Sequence, residues 1–200
     1  MARHGSIPTK IHLTLDQDMT RAKVKHVVSA IRQYSKAYRR LNKLQKDGNL
    51  IPPGDQKTGS IGEFYAHLFL KDRYRGSSIE YQREAKGYDF EVKRKGLKIS
   101  VKTVSAYSES GAMSRIHGHW HELYAIRLNH QFEPIGFWII QAKSVPKRRK
   151  PIQGCRMPQS SSPESYKSCA VPFGRNHVQK LHKLLYKHYG IRLKKISENL

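Results

Sequence analysis

Negative charge is what this 200-residue chain has least of: fifteen Asp and Glu stand against thirty-eight Lys and Arg, a formal net charge of +23. An imbalance of that size implies a polyanionic partner. Cysteine is nearly absent as well. Cys155 and Cys169 are the only two, set in a polar Ser- and Pro-rich stretch with no CxxC or other zinc-ligand spacing, so they are read as reduced cytosolic thiols with no metal role. No apolar run reaches the roughly 18 residues that a bilayer span requires, and the Met-Ala-Arg-His start lacks the apolar core of a signal peptide. No membrane partner is therefore expected; nucleic acid is, in a cytoplasmic setting that would be nucleoid-associated in a prokaryote. No internal repeat is visible.

What is present divides into three stretches. Residues 1–57 hold a sparsely basic arm (1–17) and a long amphipathic helix, 58–145 an α/β core, and 146–200 a basic loop and a C-terminal helix that packs on the core. From about Thr20 to Lys46, Val24, Val27, Val28, Ile31, Tyr34, Tyr38, Leu41 and Leu44 recur every three or four residues and form one apolar helical stripe. Lys25, Arg32, Lys36, Arg39, Arg40 and Lys43 cover much of the rest, either as a solvated face or as a DNA-facing one. Asp47-Gly48-Asn49 ends this helix and Pro52-Pro53-Gly54 fixes a turn. A second helix is predicted from near Ser60 to Asp72, turning Ile61, Phe64, Tyr65, Leu68 and Phe69 inward and carrying Glu63 in its first turn.

Strands are predicted at about 78–82, 88–93, 97–104, 122–129 and 134–142. The run Pro134-Ile-Gly-Phe-Trp-Ile-Ile140 is nearly continuously apolar and reads as a central strand covered on both faces. Residues 106–121 form a polar connection containing His117, His119 and His121, Lys147-Arg148-Arg149-Lys150 and Ser160–Pro163 read as loop, and a last helix spans about 175–189 with Val178, Leu181, Leu184 and Leu185 on one stripe.

The segment from Tyr88 to Thr103 carries the chemistry. In an alternating strand Tyr88, Phe90 and Val92 share one face while Asp89 and Glu91 share the other; in the next strand Lys98, Ser100 and Lys102 continue the polar side. A two-residue loop at Lys95-Gly96 would set Asp89 opposite Lys102 and Glu91 opposite Ser100. That arrangement is an acidic site beside a lysine.

A helix with Glu63 in Gly59-Ser-Ile-Gly-Glu63, then Gly87-Tyr-Asp89, then Ser100-Val-Lys102 at the exit of a hairpin, resembles the PD-(D/E)xK nuclease superfamily over residues 58–142. The resemblance implies a mixed central β-sheet flanked by helices, restriction-endonuclease-like, and Mg²⁺-dependent hydrolysis of phosphodiesters in DNA. It assigns Asp89 as metal-ligating acid, Lys102 as catalytic lysine, Glu63 as an acid supplied by the preceding helix, and the Val101 carbonyl as a further metal ligand. One position departs: Ser100 stands where the superfamily usually has a second acid, and a hydroxyl carries no charge toward Mg²⁺. Glu91 and Glu63 are the acids able to compensate.

Each feature also has a plainer reading. Ser60 and Glu63 fit a capping box; Asp89 and Lys102 fit an ordinary cross-strand ion pair; Glu91 fits a solvent-facing strand residue. His117 and His119 are read as DNA contacts rather than zinc ligands, Trp120 and Tyr124 as packing, and Lys147–Lys150 as a flexible basic loop or a phosphate contact. The function expected is a Mg²⁺-dependent DNA endonuclease of restriction, mobile-element or repair type. The rivals are a nuclease-fold DNA-binding protein without catalysis and an RNA-binding basic protein. A homodimer is admitted, because one-site nucleases commonly cut both strands as a pair.

Overall fold

The computed structural model describes residues 19–48, 57–82, 87–108, 110–117, 119–145, 152–158 and 171–193. The expectations for the arm at 1–17, for Pro52-Pro53-Gly54, for Lys147, Arg148, Arg149 and Lys150 and for Ser160–Pro163 lie outside the described residues. The elements are α1 (Arg21–Gly48), α2 (Lys57–Arg73), β1 (Ile79–Tyr81), β2 (Phe90–Val92), β3 (Leu97–Ser105), β4 (Glu122–Leu128), β5 (Pro134–Gln141) and α3 (Val178–Leu184), which runs on as a π-helical turn over Leu185–Tyr189.

The five strands lie side by side in chain order, β3 parallel to β4 and all other neighbours antiparallel, so the fold is α/β with a mixed sheet flanked by helices. Strand alternation divides the buried residues into two cores. Phe90, Val92, Ile99, Val101, Tyr124, Ile126 and Phe137 point to the face taken by α2, and the α1 stripe from Val24 to Tyr38 and the α3 stripe join the same cluster, whereas Leu41, expected on the α1 stripe, is exposed. Leu123, Ala125, Trp138 and Ile140 point the other way, onto Met113, Ile116, Cys155, Met157, Val171 and Phe173. A parallel pair needs a crossover of a dozen or more residues. Here residues 106–121 supply it, with no helix among their described residues, and two isolated bridges, Ala112↔Arg156 and Ile116↔Ile152, tie it to the segment beyond β5.

Several expectations are corrected. Cys155 is disulfide-bonded and buried, not a free thiol; the sequence has one other cysteine, Cys169, outside the described residues. β5 is an edge strand, not a central one. Its apolarity comes from cover on both faces, and its outer edge is closed where the Phe137 N–H donates to Asn176 Oδ1 (3.0 Å) and the His177 N–H to the Phe137 carbonyl (2.6 Å). The hairpin between β2 and β3 turns through a 3₁₀ segment, Lys93–Lys95, and Gly96 at φ +58°, so Glu91 pairs with Lys98 rather than Ser100 and Asp89 is not opposite Lys102. The slip is two residues, an even number, so the residues paired in this ladder, Phe90–Val92 and Leu97–Ile99, keep their predicted faces.

Candidate active site

Gly62 sets the depth at which α2 meets the sheet. A Cβ built there would fall 1.8 Å from Thr103 Oγ1, a buried hydroxyl with no hydrogen-bond partner among the described residues. Only a hydrogen atom fits between helix and strand, and the next residue, Glu63, is thereby brought over the β2–β3 pair. Gly62→Ala is expected to cost about 1–3 kcal/mol through forced repacking, read as a lower urea midpoint at an unchanged slope.

The β2–β3 ladder falls out of step at Asp89. Phe90 pairs with Ile99, yet the Asp89 N–H also donates to the Ile99 carbonyl (2.8 Å), while the Asp89 carbonyl accepts from Gln82 on the β1 side (2.8 Å). Past this point main-chain pairing is replaced by a side chain: Asp89 Oδ2 accepts the Val101 N–H at 2.6 Å and the Ser100 hydroxyl at 3.4 Å. Within an extended residue the N–H and C=O point to the same neighbour. The Val101 carbonyl therefore opens into the same gap as Asp89. Ser100, which is buried, acts as a donor that steadies Asp89.

Glu63 reaches the gap from α2. Its Oε2 accepts the Tyr81 hydroxyl at 2.6 Å, and α2 begins at Lys57, so Ser60 is inside the helix and no capping box forms. Burial raises the Glu63 pKa above the ordinary carboxylate value; Tyr81 opposes this, Asp89 adds to it through like charge, and Lys102 opposes it. Burial likewise raises the Asp89 pKa against the lowering effects of the Val101 N–H, Lys102 and Ser100. Glu63 thus feels the charges of both Asp89 and Lys102, and Asp89 that of Lys102. With folded pKa values raised, the native metal-free protein binds protons more tightly than the unfolded chain, so these two groups favour folding less as pH rises from the ordinary carboxylate range through the raised values. Glu63→Gln is expected to flatten that part of the pH–stability curve of the metal-free protein, measured by thermal melts between about pH 4 and 7.

Glu91 does not join the site. It lies opposite Lys98 and pairs with Lys93 (3.0 Å), which also reaches Glu80 (3.1 Å). Among the described residues no group of three or more His, Cys, Asp and Glu side chains is arranged to hold a metal ion. The two carboxylates at the gap nevertheless suit Mg²⁺, which is usually held by one or two carboxylates together with waters and substrate phosphate. Asp89 Oδ1 and Glu63 Oε1 have no hydrogen-bond partner among the described residues, and the Val101 carbonyl adds a neutral oxygen.

On α1, Lys25, Lys36, Arg39, Arg40 and Lys43 are exposed. Arg32 is committed elsewhere: its guanidinium pairs with the buried Glu133 (2.9 Å) and donates to the Arg192 carbonyl (3.0 Å), tying α1 to the β4–β5 turn and the C-terminal segment. His117 and His119 are exposed, but the His-Gly-His-Trp-His run is not an extended ladder. His119 has φ +76°, Trp120 Nε1 donates to the His117 carbonyl (2.6 Å), and His121 Nδ1 accepts the Lys98 N–H (2.9 Å). As read from sequence, Tyr124 is core and Trp120 packs against the second cluster.

Two features escaped the sequence reading. Tyr81, on the short edge strand β1, carries no motif. The buried Glu122 receives a bidentate Arg73 (3.0 Å to each oxygen), the Tyr74 hydroxyl (3.2 Å) and Gln141 Nε2 (2.7 Å), which locks the end of α2 to β4 and β5. Burial and the Glu122 charge push the Tyr74 phenol up to about 12. No helix among the described residues is long and apolar enough to cross a membrane.

No protein-family model matches the sequence, and no curated protein matches it. Among solved structures, the chain is similar to one described as a bacterial homing endonuclease, I-Ssp6803I, with a TM-score of 0.38 and 16% identity over 69% of this chain and 96% of that one.

Proposed function

We propose that the chain is a Mg²⁺-dependent DNA endonuclease of the PD-(D/E)xK type. The observation that supports this reading is that Asp89, at the entrance to β2, accepts the Val101 N–H of β3, while Glu63 on α2 feels the charges of Asp89 and Lys102. Asp89, Glu63 and the Val101 carbonyl would hold the ion, whose chemistry would be to neutralise charge on the phosphate and to acidify water at neutral pH. A short bond from the Val101 N–H, with a longer one from the Ser100 hydroxyl, orients Asp89, so its remaining oxygen is set before substrate arrives. Lys102 presents an ammonium group to the scissile phosphate, where negative charge grows as the bond breaks. The exposed cations of α1 follow the phosphate backbone, a contact without sequence information. Arg32 is left out of that surface. Two copies acting together would cut both strands. A cytoplasmic setting remains part of the proposal, although a reducing compartment would tend to open the Cys155 disulfide.

One observation favours a second reading. Ser100 donates to Asp89 in place of supplying a carboxylate, which suits a DNA-binding module on the same scaffold that has lost catalysis. Nicking of supercoiled plasmid with Mg²⁺ and with EDTA separates the two. Metal-dependent nicking that copurifies with the wild-type chain and not with Asp89→Ala supports the enzyme; tight duplex binding with no nicking supports the module. Tighter binding to structured RNA than to duplex DNA at matched salt would favour an RNA-binding role instead.

A further inference from the structure

We propose that Tyr81 is a positioning residue for divalent-metal binding: its hydroxyl holds the Glu63 carboxylate so that the other oxygen of Glu63 faces the gap beside Asp89. The inference rests on the nuclease reading of that gap and extends it to a residue outside the motifs.

Glu63 is borne by a helix and Asp89 by the residue that leads into β2, so nothing in the local backbone fixes one carboxylate relative to the other. A Glu side chain has three rotatable bonds, and holding one of its rotamers for an ion opposes side-chain entropy. The Tyr81 hydroxyl, donating to Oε2 at 2.6 Å, removes that freedom and leaves Oε1 turned elsewhere. Tyr81 is itself well placed to do so. It pairs with Phe90 across β1 and β2, its ring packs on Phe90 with centroids 5.3 Å apart, and Phe90 immediately follows Asp89. One rigid ring pair therefore registers Glu63 against Asp89 across two elements. Hydrogen bonds to ligating carboxylates generally contribute tenfold to a hundredfold in metal affinity. The need is greater here because Ser100 supplies no charge at the position where a second strand carboxylate would stand.

The test is Mn²⁺ binding to the full-length protein without DNA, followed by calorimetry and by the electron-spin signal of the free ion, on the wild type and on Tyr81→Phe, Glu63→Gln and Asp89→Ala. Tyr81→Phe keeps the ring and its packing on Phe90, so its thermal midpoint without metal should stay near that of the wild type. The expected result is Mn²⁺ affinity weakened about tenfold or more in Tyr81→Phe, with an equal rightward shift in the Mg²⁺ dependence of plasmid nicking and unchanged DNA affinity. Unchanged Mn²⁺ affinity in Tyr81→Phe, with binding lost in Glu63→Gln and Asp89→Ala, overturns the role of Tyr81 and leaves the metal site standing. Wild type and Asp89→Ala binding Mn²⁺ alike overturns both, because no ion then sits at this gap.

Discussion

Asp89→Ala is expected to lower Mg²⁺-dependent cleavage by at least about a thousandfold, close to 4 kcal/mol of transition-state stabilisation, with duplex affinity changed little. The substitution removes the carboxylate at the gap and also the acceptor of the Val101 N–H, so catalytic and structural losses need separating. Asp89→Asn does this. Its side-chain oxygen can still accept from Val101, while the negative charge is gone. If both variants are inactive and both melt near the wild-type temperature, the charge is what cleavage requires. Affinity should survive because phosphate contacts by Lys and Arg dominate binding, and its logarithm should fall linearly with the logarithm of salt concentration at one slope for all three proteins.

Lys102→Ala is the second large effect, expected at about a hundredfold to a thousandfold in kcat, the usual result of deleting a donor aimed at transition-state charge. Its signature differs from that of Asp89. Lys102 lowers the pKa of both Glu63 and Asp89, so its loss alters their charge balance but removes no oxygen ligand. Half-saturation by Mg²⁺ should therefore stay within a few-fold of wild type while the maximal rate collapses. Lys102→Arg should not restore activity, since a planar guanidinium does not replace a compact ammonium point charge. Equal loss of rate and of metal affinity would instead identify Lys102 as structural support for the two carboxylates.

Much of this architecture was legible in the chain because the signals were periodic. Apolar patterning placed all five strands, and Ser100 and Lys102 stay on the face opposite Ile99 and Val101 despite a two-residue error in register, because faces repeat every two residues. The register itself was hidden. Lys93-Arg94-Lys95 has no turn chemistry of its own, and Gly96 alone fits both a two-residue loop and the end of a 3₁₀ turn. The start of α2 was placed late because Lys57-Thr58-Gly59 holds no apolar residue to begin the period. A continuous apolar strand reports that both faces are covered, not that both edges are paired, which is why β5 read as central. Glu63 was ambiguous between cap and ligand until a distant tyrosine took its oxygen, and Arg32 was indistinguishable from its neighbours until Glu133 lay opposite it. Ion pairs across a hundred residues leave no trace in local pattern.

The most direct measurement is anomalous X-ray scattering from crystals of the wild-type protein soaked in Mn²⁺. A peak in the gap between Asp89 Oδ1, Glu63 Oε1 and the Val101 carbonyl, absent from Asp89→Ala crystals, is the expected result. Full occupancy of Mn²⁺ elsewhere with this gap empty, or a peak that persists in Asp89→Ala, would contradict the assignment of these residues as one metal-dependent cleavage site.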